Sequence, residues 1–294
     1  MILEAVRKNK IKTFFIAVLF FIFIFLFICS LSYFFMGGFS EFIIIFAAAS
    51  AIITSLISYY QSDKIVLSLS NARVATREEF LQLNNILEGL CLGAGLPMPK
   101  LYVMDDSAMN AFATGRNPEH SVICVTTGLL NRLDKNEIEG VLAHELSHIK
   151  NYDVLLQTVA VVMVGFVVII ADIVSRSIHR SGDDDNKASA IIMLLSFIFI
   201  IIAPIFGELL KLLLSRNREY LADASAVELT RNNEGLISAL RKITEDTEAL
   251  EQAHKSTESL YIINPLVTEK KKKTSIWSTH PSTDDRIERL INIH

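Results

Sequence analysis

The 294-residue sequence holds three cysteines, Cys29, Cys91 and Cys124, which are scattered, with no CxxC pair among them. Cys29 lies inside an apolar run and has no easy path to the other two, so a disulfide framework is excluded and the thiols read as reduced and structural. An excess of positive charge is missing as well. The 28 Lys and Arg residues face 32 Asp and Glu, for a net charge of −4. No overall basic field therefore argues for nucleic acid as a partner. Internal repeats are absent. What the chain has in abundance is apolar residues: 51% are hydrophobic and the mean hydropathy is +0.39. That is too apolar for an ordinary soluble protein, although the length suffices for one enzyme domain with its own core.

Four long uncharged runs carry this excess. Thr13 to Met36 exceeds the roughly 20 residues that span a bilayer as helix. A short break, "GGFSE", ends in Glu41, and Phe42 to Gln61 follows at once. The pair reads as a transmembrane hairpin. Arg7, Lys8, Lys10 and Lys12 precede it, as they would a signal peptide, but the apolar core is longer than a signal h-region and no small-x-small cleavage pattern follows cleanly. The remaining runs are Val154 to Ala171 and Ala188 to Gly207, separated by the polar "DIVSRSIHRSGDDDNK". Lys64, Arg73 and Arg77 follow the second run, whereas the first loop has no basic residue, so both flanks belong in the cytoplasm. The chain then divides into an arm and hairpin (1–61), a first soluble half (62–153), a second apolar pair (154–207) and a second soluble half (208–294). The lipid bilayer is a partner, and both soluble halves share the cytoplasmic side.

The soluble halves mix helix and strand. Residues 77–93 show helical periodicity through Phe80, Leu83, Ile86, Leu87 and Leu90, and "GLPMPK" stops it. Three short β-prone pieces follow at 100–104, 110–115 and 121–126, which predict a small antiparallel or mixed sheet. Asp134 with Glu137 forms a capping box that starts the next helix. Further helices are expected through "SRNREYLADASAVELT", over about 233–253, and at the end, where Ser282 with Asp285 caps a short one. "EKKKKT" at 269–274 reads as a solvated loop. The fold class is membrane α+β, with about four transmembrane helices.

The chemistry lies in "VLAHELSHIKNYD", residues 141–153. On a helix His144 and His148 share one face and can direct two ring nitrogens at one metal ion. Glu145 stands beside the first histidine, within reach of a metal-activated water rather than of the metal, which is the pattern of a zinc peptidase. A catalytic zinc needs a third protein ligand and an open position. No histidine follows in the HExxHxxGxxH manner. "SRNREYLADASA", residues 215–226, offers Glu219 as that ligand and Asp223, one turn on, to hold a ligand histidine through its other nitrogen. Glu219 can reach His144 only if the chain crosses the membrane an even number of times between them, and two apolar runs lie between.

"NAFATG", "VTTGLL", "LAHELSHIKNYD", "SRNREYLADASA" and "THPSTDDRI" together resemble the HtpX family of membrane zinc metalloproteases, relatives of the CAAX prenyl-protein endoproteases. The resemblance covers almost the whole chain. It implies a gluzincin-like endopeptidase in a bacterial inner membrane, facing the cytoplasm, with one Zn²⁺ per chain. His144, His148 and Glu219 match the family's zinc ligands and Glu145 its general base. His280 resembles the histidine that hydrogen-bonds the oxyanion of the tetrahedral intermediate. Asn110, Ala111, Phe112 and Ala113 look like the edge strand that takes extended substrate. The implied substrates are misfolded or damaged membrane proteins and unfolded polypeptide. Two alternatives stay open: a zinc-stabilised scaffold or holdase without activity, and a dedicated processing protease. A site-2-type intramembrane protease is disfavoured, because Lys150, Asn151 and Asp153 make the end of the motif helix wet and no "LDG" triplet follows.

Overall fold

Neither of the first two apolar runs contains proline, and each forms an uninterrupted helix: α1 over Ile2–Met36 and α2 over Glu41–Tyr60. Ser40 caps α2, its Oγ accepting from the Ile43 amide. Both helices are long and apolar enough to cross a membrane, α2 measuring about 30 Å at 1.5 Å per residue. Only 17% of the α2 span is buried inside the molecule, which separates it from the core helix of a soluble protein. Phe14, Phe15, Phe42, Ile45, Phe46 and Ile53 stand exposed along the two helices, a patch that water penalises and lipid does not. The computed structural model describes residues 2–36, 40–163, 165, 216–251, 257–263, 265 and 281–293. The third apolar run begins as α7 (Asp153–Met163) and packs Leu155, Leu156, Val159 and Met163 against Ile16, Phe20, Phe23 and Ile24 of α1. The rest of that run and all of the fourth lie outside the described residues. Two candidate spans are therefore established where four were expected.

A short helix, α3 (Ser62–Leu69), leads into a four-stranded mixed sheet. Its strands are β1 (Arg73–Val74), β2 (Lys100–Met104), β3 (Ala111–Asn117) and β4 (His120–Thr126), in the order β1-β2-β4-β3. β2 runs parallel to β4, while the β1–β2 and β3–β4 pairs are antiparallel. β3 is thus a terminal strand, in register with β4 from Ala111↔Val125 to Gly115↔Ser121. Between β1 and β2 lies α4 (Leu81–Ala94), which Gly95 ends in the left-handed conformation at φ 65°. The helix expected from residue 77 begins four residues later, because Thr76–Phe80 form a turn closed by Phe80 N–H to Thr76 C=O. All three cysteines are buried and free.

α5 (Thr127–Arg132) leads into α6 (Lys135–Lys150), whose start is the expected capping box. Asp134 Oδ1 accepts from the Asn136 and Glu137 amides at 2.8 and 3.0 Å, and Glu137 Oε2 accepts from the Asp134 amide at 2.7 Å. α8 (Arg216–Thr230), α9 (Asn233–Glu245) and α10 (Thr283–Ile291) complete the helices among the described residues, with a 3₁₀ turn at Glu258–Leu260. The helix expected over 233–253 stops at Glu245. Asp246 there takes the Met109 amide at 2.7 Å and the Arg132 guanidinium at 2.7 Å, which turns the chain away. Ser282 caps α10 by accepting from the Asp285 amide at 3.2 Å. α6 and α9 cross with their backbones almost touching. A Cβ on Gly140 would lie 2.8 Å from the Leu236 nitrogen, and one on Gly235 2.5 Å from the Asn136 carbonyl oxygen. One hydrophobic core therefore joins residues 75–154 with residues 226–290 around α6.

Glu137 ties this crossing together, because its Oε atoms also accept from Ser238 Oγ at 2.6 Å and Lys242 Nζ at 2.7 Å on α9. Burial works to raise its pKa, but Lys242, Ser238 and the Asp134 amide outweigh it and hold the carboxyl below its ordinary 4.5. A depressed folded-state pKa contributes stability that is present above pH 4.5 and lost as pH falls below it. Glu137→Gln is expected to lower stability near neutral pH by roughly 1–3 kcal/mol. It should also flatten the loss of stability below pH 4.5; both are read from thermal or denaturant unfolding across that window.

Candidate metal centre

α6 carries the motif, and its two histidines emerge one turn apart on the buried face. Their rings stand at 88° with centroids 4.7 Å apart, which brings the two Nε2 atoms to 3.2 Å. α8 packs across this face and delivers Glu219. Its Oε2 lies 3.6 Å from His144 Nε2 and its Oε1 3.7 Å from His148 Nε2. One donor atom from each residue falls within a 4.8 Å cluster. Two nitrogens held tetrahedrally at the usual zinc distance sit about 3.3 Å apart, so the spacing of the imidazoles suits the ion. Glu145 is buried beside them, and its Oε2 has no hydrogen-bond partner among the described residues. An unpartnered carboxylate oxygen in a dry wall is costly unless a water or cation completes it. The residues present fit a zinc ion.

Each histidine is oriented through its far nitrogen. His144 Nδ1 lies 2.9 Å from Asp223 Oδ1, and His148 Nδ1 lies 3.1 Å from Asp153 Oδ2. With the proton on Nδ1 donated to a carboxylate, each Nε2 lone pair faces inward, the tautomer a metal requires. Burial opposes a charge on His144, yet Asp223 and Glu219 outweigh it and raise the imidazole to about 9. Burial also raises the Glu145 carboxyl above its ordinary range, against the pull of the two histidines. Asp223 is itself held by Arg286, whose Nη2 and Nε donate to its two oxygens at 2.6 and 2.9 Å. This guanidinium more than offsets the effect of burial and keeps the Asp223 carboxyl below the usual carboxylate range.

The sequence-predicted residues fall in three groups. His144, Glu145, His148, Glu219 and Asp223 converge at one point where α6 meets α8. Asn110 precedes β3, and Ala111, Phe112 and Ala113 open it, on the strand that packs against α6. There the Asn110 side chain and the Ala111 carbonyl are engaged by Ile263 and Ile262 of the same chain. His280 lies outside the described residues.

Three functional residues were not singled out from sequence. Arg286 sits in the quoted "STDDRI" and is 1% exposed; a charged residue at a position facing the core was the available signal. Asp153, in the quoted motif itself, follows His148 at a spacing that only the turn after α6 makes useful. Asn9 on α1 gave no local signal, since its partners are more than 140 residues away. Its Nδ2 donates to Asp153 Oδ1 at 2.7 Å and to the Asn151 carbonyl at 3.0 Å. Tyr152 between them adopts a left-handed conformation, φ 58°, a strained turn for a non-glycine residue. Lys10 braces it, with Nζ 4.1 Å from the ring centroid.

The model of Peptidase family M48 matches residues 77–294. The chain belongs to this family. It is 47% identical over 288 residues to a protein named Protease HtpX homolog from Dictyoglomus turgidum, covering 98% of this chain and 93% of that one. A protein of the same name from Listeria monocytogenes is 42% identical over 306 residues, covering both chains fully. The crystal structure of S. mikatae Ste24p superposes with a TM-score of 0.51 at 20% identity, covering 98% of this chain and 67% of that one, a likeness of fold alone. An M48 peptidase of the HtpX type is a membrane metalloendopeptidase, and His144, His148 and Glu219 form a group that could bind a metal ion.

Removing a carboxylate behind a histidine ligand is expected to weaken the metal rather than abolish it. Asp223→Asn should lower zinc affinity by about 10–100-fold. Asn9→Ala, one contact further out behind His148, should cause a smaller loss, under about tenfold. Chelator competition on the purified protein measures both.

Proposed function

We propose that the chain is a zinc-dependent endopeptidase, one Zn²⁺ per chain, that cleaves cytosol-exposed parts of misfolded or damaged membrane proteins and unfolded polypeptide. The observation that carries this reading is the combination of three inward-facing donors with a fourth, unligated carboxylate beside them. A structural zinc site closes with four protein ligands and needs no adjacent base, whereas among the described residues three donors converge here and Glu145 is left over.

His144, His148 and Glu219 would hold a zinc ion, which would supply Lewis acidity and lower the pKa of a bound water. The chain's own groups do the rest. Glu145, raised in pKa by burial, accepts the proton of the attacking water and delivers it to the leaving amine nitrogen. Asp223 and Asp153 hold the imidazoles in one tautomer throughout. His280, by its place in "THPSTDDRI", donates to the oxyanion as charge develops there. The edge of β3 receives the polypeptide in extended form.

The membrane assignment rests on α1 and α2 and on the four uncharged runs. With all four spanning, residues 62–153 and 208–294 both face the cytoplasm of a bacterial inner membrane. The basic residues flanking the first two runs support this orientation, although Arg176, Arg180 and Lys187 make the loop between the last two runs basic as well. The direct packing of α1 against α7 supports a centre close to the bilayer surface, which suits substrates that are themselves membrane-bound.

Glu145→Gln separates metal binding from cleavage. The variant is expected to hold one zinc per chain, as wild type does, while hydrolysis of an unfolded polypeptide falls by about 10²–10⁴-fold. Metal analysis and peptide mass spectrometry on the same preparations check it. A variant that cleaves at the wild-type rate would remove Glu145 from the mechanism. A wild-type protein that binds zinc and polypeptide without cleaving it would favour a holdase.

A further inference from the structure

Antiparallel pairing leaves alternate residues of a terminal strand with their backbone groups on the open edge. In β3 those residues are Ala111, Ala113 and Gly115, because Asn110 already accepts from the Thr126 amide of β4 at 3.0 Å. The edge is nevertheless occupied. Gly115 N–H donates to Thr158 Oγ1 of α7 at 3.3 Å. At the other end, Phe112 and Tyr261 form a single antiparallel bridge, with their rings edge to face at 5.1 Å.

Three groups then grip the two residues that follow Tyr261. The Ala111 carbonyl accepts from Ile262 N–H at 2.9 Å. Arg286 Nη1 donates to the Ile262 carbonyl at 3.0 Å. Asn110 Nδ2 donates to the Ile263 carbonyl at 3.0 Å. All three contacts read backbone, so they do not themselves select a side chain; any preference comes from the apolar space around them. The same Arg286 has its Nη2 3.4 Å from His144 Nδ1, so the grip lies against a residue of the metal centre. The gripped stretch follows one 3₁₀ turn and makes one isolated bridge rather than a strand of its own. Its side chains fill apolar space: Tyr261 packs among Val66, Met104, Phe112 and Leu250.

We propose that Tyr261–Ile263 of the chain itself occupies the substrate edge at Asn110 and Ala111, held there by those residues and Arg286 as by a clamp, and that substrates enter by displacing it. The proposal rests on the peptidase reading of the centre. An internal occupant lowers the apparent affinity for an incoming chain in proportion to the fraction of time the clamp is filled. It also indicates what the clamp accepts: an extended segment with an aromatic or large apolar residue opposite Phe112, followed by an aliphatic one.

The test uses the full-length, zinc-loaded Glu145→Gln protein in detergent, with fluorescently labelled carboxymethylated α-lactalbumin as the unfolded polypeptide and anisotropy to follow its saturation. The Ile262 amide is expected to be protected from hydrogen exchange in the free protein and to exchange at least tenfold faster once the polypeptide is bound. A saturated protein in which Ile262 stays protected overturns the proposal. A kinetic arm in the wild-type background uses Ile262→Pro, which removes the N–H given to Ala111. The preceding residue tolerates it, because Tyr261 has ψ 147°, the extended conformation that favours a following proline. The expected result is a KM about fivefold lower at unchanged kcat, the scale of one hydrogen bond, with Ile262→Val remaining at the wild-type KM. An unchanged KM in Ile262→Pro also overturns it. Failure of the wild-type protein to cleave the polypeptide at all would instead count against the peptidase reading, since the exchange arm requires binding alone.

Discussion

His144, Glu219, Asp223 and Arg286 are buried together where α6, α8 and α10 meet, and charged groups out of water persist only when each is answered by another. Arg286 spans Asp223 through both of its oxygens, Asp223 holds His144, and Glu219 closes the group from the next turn of α8. The arrangement fixes the rotation and register of three helices at once, because a shift of one residue on any of them would leave a buried charge alone. The apolar core around α6 supplies most of the stabilisation, but it would tolerate small slides between helices. The charges do not. Positional accuracy at the metal centre thus comes from the polar group, and the bulk free energy from the packing beneath it.

The second support of the centre comes from the N-terminal helix. α1 lays Ile16, Phe20, Phe23 and Ile24 against α7, and just before this apolar stretch Asn9 reaches the turn that joins α6 to α7. That turn runs through a left-handed Tyr152, and Asp153 emerges from it pointing back at His148. A helix apolar enough to lie in lipid therefore shares a hydrogen-bond chain with a candidate metal ligand. Its burial against α7 and the orientation of His148 rise and fall together.

Much of this was legible before any tertiary contact was known. The capping box at Asp134 and Glu137, the helix through His144 and His148, the β-prone segments and the cap at Ser282 all depend on residues within a few positions of one another, and local stereochemistry decides them. The order of the strands is not decided locally, since it pairs Lys100 of β2 with Val122 of β4. The helix limit at Glu245 likewise differs from the expected one through distant contacts, while the one near Thr76 is set by a local turn. At Glu245 the periodicity continued, but Asp246 is claimed by Arg132 and Met109 from distant chain. Arg286 carried a weak signal, being a charge on the inward face of a short amphipathic helix. Asn9 carried none.

The sequence by itself determined which residues are the candidate donors, which segments suit a membrane and where most of the helices begin, because donor type, hydropathy and capping are properties of a residue and its near neighbours. Only the tertiary structure decided how the donors are held. It gave each histidine its own carboxylate, tied one of those carboxylates to an arginine on the last helix and the other to an asparagine on the first, and laid Tyr261–Ile263 along the edge of β3. Those pairings join residues up to 153 positions apart. They are selected by the requirement that buried charges and open backbone groups find partners, and no local pattern encodes which distant residue will meet it.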